Sequence, residues 1–234
     1  MRLHAPGQRP RSRARSRGEL RPNIGGVRHV ADSFTWPFRG KPYGLWLEGV
    51  VAVLLTPLLT IPLLGYAVEA TRVSELDPAA EPPRFRLTSR LLVDGSWMVL
   101  ALLIVAAPFA LLLGPLAHLI SSPFAHVFAI LILALPWGFV MLLLVPGATA
   151  RFAASGNPRD LFDPVAALHA VSRDFATWNV VVAAIVTAWA IGIACVGLLC
   201  VGLAPGVFYA ILVSAHATAA LRPSSAQTSR QGTR

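Results

Sequence analysis

Fifty consecutive residues, Trp97 to Pro146, contain no Asp, Glu, Lys or Arg. A bilayer's hydrocarbon core is about 30 Å thick and takes roughly 20 apolar residues to cross as helix. Inside it every backbone polar group must be satisfied internally, so an apolar run of this length is helix. This one is long enough to cross twice. Its only polar break is His118-Leu119-Ile120-Ser121-Ser122-Pro123. The expected unit is a helical hairpin, from Trp97 to about Ala117 and from Phe124 to about Val145.

A second run, Trp178 to Leu221, spans 44 residues without a charged side chain. It fits two more spans, about 178–200 and 204–221, with Gly202 to Gly206 as the turn region. Small residues (Gly192, Ala194, Gly197, Ser214, Ala215, Ala217) would let helices approach closely there. The first apolar run, Leu45 to Val68, carries Glu48 near its start and Pro57 and Pro62 in its middle. A proline inside a helix removes a hydrogen bond and kinks it. This run therefore crosses as one kinked helix or dips in and returns as two half-helices. The expected fold class is all-α. It is a polytopic membrane bundle of four full transmembrane helices plus a proline-kinked first membrane segment, re-entrant or a fifth span, with amphipathic interfacial helices.

Composition agrees. Charged residues make up 13% of the chain and apolar ones 55%, against about 25% and 45–50% in soluble domains. The net charge of +9 is almost all arginine, Lys41 being the one lysine. That bias suits a GC-rich genome, so a bacterial, actinobacterial source is expected. No cleavable signal peptide is evident, because the Arg-rich start has no apolar stretch until about residue 45.

In chain order, residues 1–28 read as a disordered Arg-rich tail. It would hold anionic headgroups, at about 1 kcal/mol per basic residue near the surface. Alternatively, translation begins at Val27 or Val30 and the tail is absent. Nucleic acid is not expected as a partner, since no aromatic platform is interleaved with the basic residues. Residues 29–44 form an interfacial segment with Trp36, Phe38, Arg39, Lys41 and Tyr43 as membrane anchors. Residues 45–221 are the membrane domain, with 222–234 a disordered tail. The 69–96 loop is polar and broken by Pro78, Pro82 and Pro83. After the hairpin, Gly156-Asn157-Pro158 is a turn, and Asp163-Pro164 is the N-cap and first residue of an amphipathic helix. Its apolar face, with Leu161, Val165, Leu168 and Phe175, would lie on the membrane.

The 20 Lys and Arg residues discriminate between the two topologies. Ten precede residue 45, four lie in 69–96, three in 147–177 and three after Leu221. The hairpin turn and the Gly202–Gly206 region have none. With a re-entrant first segment all 20 fall on one face; with five spans they split evenly. The positive-inside rule prefers the former, with both termini cytoplasmic in a multi-pass cell-membrane protein.

Several segments in order resemble a bacterial and archaeal membrane family, domain of unknown function 4013. They are Phe34-Thr-Trp-Pro-Phe-Arg, the proline-containing run ending in Gly65-Tyr66 and Arg72, and Pro83-Arg84-Phe85 followed by Asp94-Gly95. Phe162-Asp163 and Pro205-Gly-Val-Phe208-Tyr209 complete the set. The resemblance covers roughly residues 31 to 221. It implies an architecture and no reaction. The family usually has acids after the loop's proline-aromatic pair, where this chain has Arg84 and Arg86, so any role of those acids is not carried over.

Chemistry-bearing residues are few. Glu48 and His216 are the candidate intramembrane polar groups; such residues mark ion or proton paths when they line a cavity. His118 and His126 flank the hairpin turn without a carboxylate nearby. Cys195 and Cys200 lack metal-site spacing. No Ser/His/Asp or Cys/His set is apparent, and no cofactor is expected. The reading is a non-enzymatic integral membrane protein that organises lipids or partner proteins, itself a possible homo-oligomer. The alternative is a small transporter or channel component, for which the broken first segment speaks. A membrane enzyme comes third.

Overall fold

A computed structural model describes residues 24–40, 42–56, 59–119, 123–195 and 202–221. The expectations placed on Lys41, Pro57, Gly197, Cys200, residues 1–23 and the tail after Leu221 lie outside these residues, as do the side chains of His118 and His126. The described chain is helical: α1 (Ile24–Asp32), α2 (Pro42–Leu54), α3 (Thr60–Leu76), α4 (Ser89–Leu119), α5 (Pro123–Ser155), α6 (Pro164–Arg173), α7 (Phe175–Ala194) and α8 (Leu203–Thr218). Short 3-10 turns lie at Trp36–Phe38, Pro158–Leu161 and Ala219–Leu221. Among the described residues there is no strand.

Four helices are long and apolar enough to cross a membrane: Ser89–Leu113, Val127–Ser155, Phe175–Ala194 and Leu203–Leu221. These are the four spans expected from the two charge-free runs. The first apolar run is instead broken. Helix α2 stops at Leu54 and α3 starts at Thr60, with a turn beginning at Leu55. The two ends of this segment meet, because Arg39 Nη1 donates to the Pro78 carbonyl at 2.9 Å. A full crossing would put them about 30 Å apart. The segment therefore leaves one end of the bundle and returns to it.

That end also holds the start of α4, the end of α5, the start of α7 and the end of α8. Arg72 of α3 reaches Asp94 of α4 and the Ala153 carbonyl of α5. His216 of α8 faces the Pro78 carbonyl, and Val30 of α1 packs with Val181 and Ile185 of α7. All the described charged loops thus gather at one end.

Helix α8 is the most covered of the spans and α5 the least. Two crossings are close enough to require glycine. A Cβ on Gly65 of α3 would overlap the carbonyl oxygen of Leu91, and one on Gly95 of α4 would overlap that of Ile61. A Cβ on Gly192 of α7 would lie 2.7 Å from the carbonyl oxygen of Gly206 on α8. Small residues at such crossings let backbones pack, where lipid offers no hydrophobic drive between helices.

Several boundaries differ from the sequence expectation. Ile24 to Arg28, assigned to the tail, begin α1, which the buried Val30 anchors to the bundle. The last part of the polar 69–96 loop, from Ser89 on, is continuous with α4, whose 31 residues measure about 46 Å. Ala204 to Gly206 are already helical, not turn, with Pro205 in the first turn of α8, where no intrahelical donor is needed. Phe175 does not share a helix with Val165 and Leu168. Asp174 ends α6 and caps α7 through Thr177 N at 3.1 Å. The predicted Asp163 cap is present, its side chain accepting from Ala166 N at 2.9 Å.

Candidate functional site

The polar chemistry of the described residues collects at the charged end in two clusters. The first is built on α3 and α4. Arg72 Nη2 donates to Asp94 Oδ2 at 3.0 Å, Nη1 pairs with Glu69 one turn back, and Nε donates to the Ala153 carbonyl at 3.2 Å. Arg90 adds a longer approach to Asp94, 3.9 Å. Gly65 and Gly95 bring these helices together, and Arg72 and Asp94 lie seven residues after the one and one before the other. One guanidinium thus ties three helices at the point where their chains leave the apolar layer. A planar fork with five donors suits this; an ammonium would reach fewer partners.

The second cluster joins α1 to the end of α8. The imidazoles of His29 and His216 stack, their centroids 4.2 Å apart. Ser33 Oγ lies 2.9 Å from His216 Nδ1, His29 Nε2 lies 3.0 Å from the His216 carbonyl, and His216 Nε2 lies 3.4 Å from the Pro78 carbonyl. One proton arrangement satisfies all three. Each Nε2–H donates to a carbonyl, and the Ser33 hydroxyl donates to His216 Nδ1, the shorter of its two acceptors, the other being the His29 carbonyl at 3.3 Å. Burial holds the His29 pKa below its usual value. The hydrogen bond to His216 and the charge of Asp32 oppose that shift, and Arg39 reinforces it. Ser33 and His216 have no exposed surface, so this Ser–His contact is a buried joint between helices.

Aromatic residues fill the layer between the clusters. Trp36 donates its indole N–H to the Ala80 carbonyl at 2.8 Å. The Tyr66 hydroxyl donates to the Pro83 carbonyl at 2.9 Å, and its ring stacks on Phe208. The Tyr209 hydroxyl donates to the Phe34 carbonyl at 3.2 Å. Phe208 in turn covers Gly49 of α2, where a Cβ would strike its ring. The family-like positions Gly65, Tyr66, Arg72, Asp94, Gly95 and Phe208 therefore fall on the packing of α3 against α4 and α8, whereas Tyr209 turns to Phe34 and Phe38 and to the α7 side. Phe162 is apart from them, half-exposed and edge-on to Trp97, and Asp163 caps α6.

The residues proposed as membrane anchors divide. Tyr43 and Phe38 are exposed, at 91% and 57%, and Arg39 is partly so. Trp36 is not an interfacial anchor: its exposure is 0% and it belongs to the core with Tyr66 and Phe208. Glu48 lies on an exposed face of α2, whereas His216 is buried in the histidine cluster; they do not form one site. Among the described residues no group of three or more His, Cys, Asp or Glu is placed to hold a metal ion.

Some members of these clusters had no signal in the sequence. Ser33 and His29 meet a residue more than 180 positions away, and backbone acceptors such as Pro78 and Ala80 carry no pattern. Arg151 is another. Its Nη2 donates to the carbonyls of Asp160 and Asp163 at 2.8 and 2.9 Å, pinning the Gly156–Asp163 loop to α5.

Compared with known proteins, residues 49–202 match a family profile described as a protein of unknown function, DUF4013. No curated protein and no solved structure matches the chain.

Proposed function

Since the chain belongs to the DUF4013 family, whose description carries no reaction, we propose that it is a non-enzymatic integral membrane protein that organises lipids or partner proteins. The observation that carries this reading is the placement of its polar chemistry. Arg72, Asp94, Glu69, His29, Ser33 and His216 all engage one another or backbone groups at the charged end. Each of these contacts joins helices or braces a helix end. The exposed surface is apolar over the spans and charged at one rim, the distribution of a protein whose solvent is lipid and whose headgroup contacts are cationic.

In this reading both termini are cytoplasmic and the basic tail meets anionic lipid. Alkaline phosphatase or a fluorescent protein, fused after Ala80 and separately after Leu221, tests the orientation. Fluorescence without phosphatase activity at both sites is expected; phosphatase activity at either site overturns it. Lipid organisation is tested by excising the protein with its surrounding bilayer in polymer discs and measuring their lipids. Enrichment of anionic lipid over the bulk membrane, lost on deleting residues 1–23, or a stoichiometric co-excised protein supports the reading. Discs of bulk composition with no second protein overturn it.

The broken first segment keeps one alternative in view, a small transporter or channel component. Two half-helices returning to one face are a known way to build a midplane site, and Glu48 lies on the first of them. A solute or ion flux in proteoliposomes that Glu48→Gln abolishes would replace the organiser reading with this one.

A further inference from the structure

Helices α4 and α5 part over their inner halves and leave a cleft of about 510 Å³ between them. Its floor is Met98, Ala101 and Ala148, at 5%, 9% and 7% exposure. Its rim includes Ile104, at 53% exposure, and Pro108. At the charged end it is closed by Leu161, Asp163 and the start of α6. Ile104 faces outward with Leu103, Leu111 and Leu135, all exposed and apolar. In a bilayer these surfaces meet hydrocarbon, so the cleft opens to hydrocarbon as well.

Its shape restricts what enters. The lining runs from Met98 to Pro108 on α4 and from Trp137 to Thr149 on α5, or about 15–18 Å along the helix axes. Apart from Trp137, Thr149 and Asp163 the lining side chains carry no polar group. The cleft's length is that of one leaflet, half of a core about 30 Å thick. A flexible hydrocarbon chain lying along the helices matches a slot of that length and apolarity that opens to lipid. Prolines lie inside both helices at this level: Pro108, in the lining, on α4, and Pro136 and Pro146 on α5. A proline inside a helix removes a hydrogen bond and favours a bend there.

We propose that this cleft is a resident site for one acyl chain of a membrane lipid, held between α4 and α5 with its polar end at the Leu161–Asp163 corner. The site deepens the lipid side of the function proposed above and rests on it only in placing the chain in a bilayer. Enrichment of anionic headgroups and occupancy of this cleft are measured separately, so either can fail alone.

The test uses the full chain in nanodiscs containing a small fraction of a phospholipid with a diazirine in mid-chain. Labelled residues are mapped by mass spectrometry after photolysis. A bilayer acting only as solvent labels by exposure, so Leu111, Leu135 and Phe128, at 75%, 75% and 66%, take the label. A resident chain labels Met98, Ala101 and Thr149 several-fold above what exposures of 5–9% allow. Two variants close the site: Ala148→Trp fills the floor, and Ile104→Trp blocks the rim where packing is looser. In each, floor labelling should fall at least five-fold while Leu111, Leu135 and Phe128 keep theirs. Should Ala148→Trp not fold, Ile104→Trp carries the test. Labelling in proportion to exposure overturns the proposal. So does floor labelling that survives both variants, or a cross-link from the floor to a second copy.

Discussion

Replacing Arg72 with Met removes the cation that joins α3, α4 and α5. Asp94 then keeps only Arg90, at 3.9 Å, whose side chain is 65% exposed. A pair that open contributes about 0–1 kcal/mol. Asp94 itself is 8% exposed, so its carboxylate is left nearly uncompensated. Removing one partner of a buried pair costs about 3–5 kcal/mol, and the position at the bundle's end argues for the lower figure. The lost bond to the Ala153 carbonyl adds about 1 kcal/mol, for a total near 4 kcal/mol. Asp94→Asn is milder. Arg72 retains Glu69 and Ala153, and the amide oxygen still accepts, so the cost is about 1–1.5 kcal/mol. The double variant has no stranded carboxylate at residue 94 and should cost about 2 kcal/mol less than the sum of the singles, a coupling expected only of residues in contact. SDS titration in mixed micelles, followed by tryptophan fluorescence and far-UV circular dichroism, measures all three. Equal losses for the two single variants, or an additive double, would refute the assignment of Arg72 as the shared tie.

Three further outcomes follow from the same geometry. Gly65→Ala drives a methyl into the Leu91 carbonyl and should cost about 1–3 kcal/mol or more; Gly138→Ala meets nothing within 4 Å and should be neutral or stabilising by up to about 1 kcal/mol, so a similar loss for both would discount the crossing. Trp36→Phe removes the bond to the Ala80 carbonyl and should cost about 1–2 kcal/mol, including the volume lost, read in the same titration. The folded protein holds the His29 pKa below its unfolded value of 6.5. The unfolded chain therefore binds more protons just below that pH, and stability falls as pH drops through 6.5. Melting temperature should decline between pH 7.5 and 5.5, less steeply in His29→Gln, and an equal slope in both would exclude His29 as the source.

Much of this architecture was legible before any coordinates. Two uncharged runs, of 50 and 44 residues, are each long enough to cross twice, and backbone groups without water must pair within a helix, so four helices of spanning length follow from length alone. The charge count favoured a first segment that returns to its starting face, and Arg39 meeting Pro78 is that return in atomic form. The Asp163 cap was readable as well, because it acts on a donor three residues away; the Asp174 cap, equally local, was passed over because the apolar pattern ran on to Phe175. The family-like residues stood out as a set of weak motifs in order, without a reason for any of them.

The reason is tertiary. Gly65 and Gly95 are needed because two backbones cross there, and neither position shows in sequence which partner it faces. Trp36 looked like an interfacial aromatic because its neighbours are basic; only the fold puts it under α8, with its N–H on a carbonyl of a distant loop. His216 acquires meaning from Ser33 and His29, more than 180 residues away, and no local pattern encodes such a meeting. Nor could hydropathy reveal the cleft between α4 and α5, since two apolar helices read the same whether they touch or part. Sequence alone determined which segments are apolar enough to enter the membrane, because desolvating a charge or an unpaired amide is costly wherever it happens; whether the first of them crosses or returns it left open. Which segments then meet is set by shape, by crossings a single methyl would prevent, and that was decided only in three dimensions.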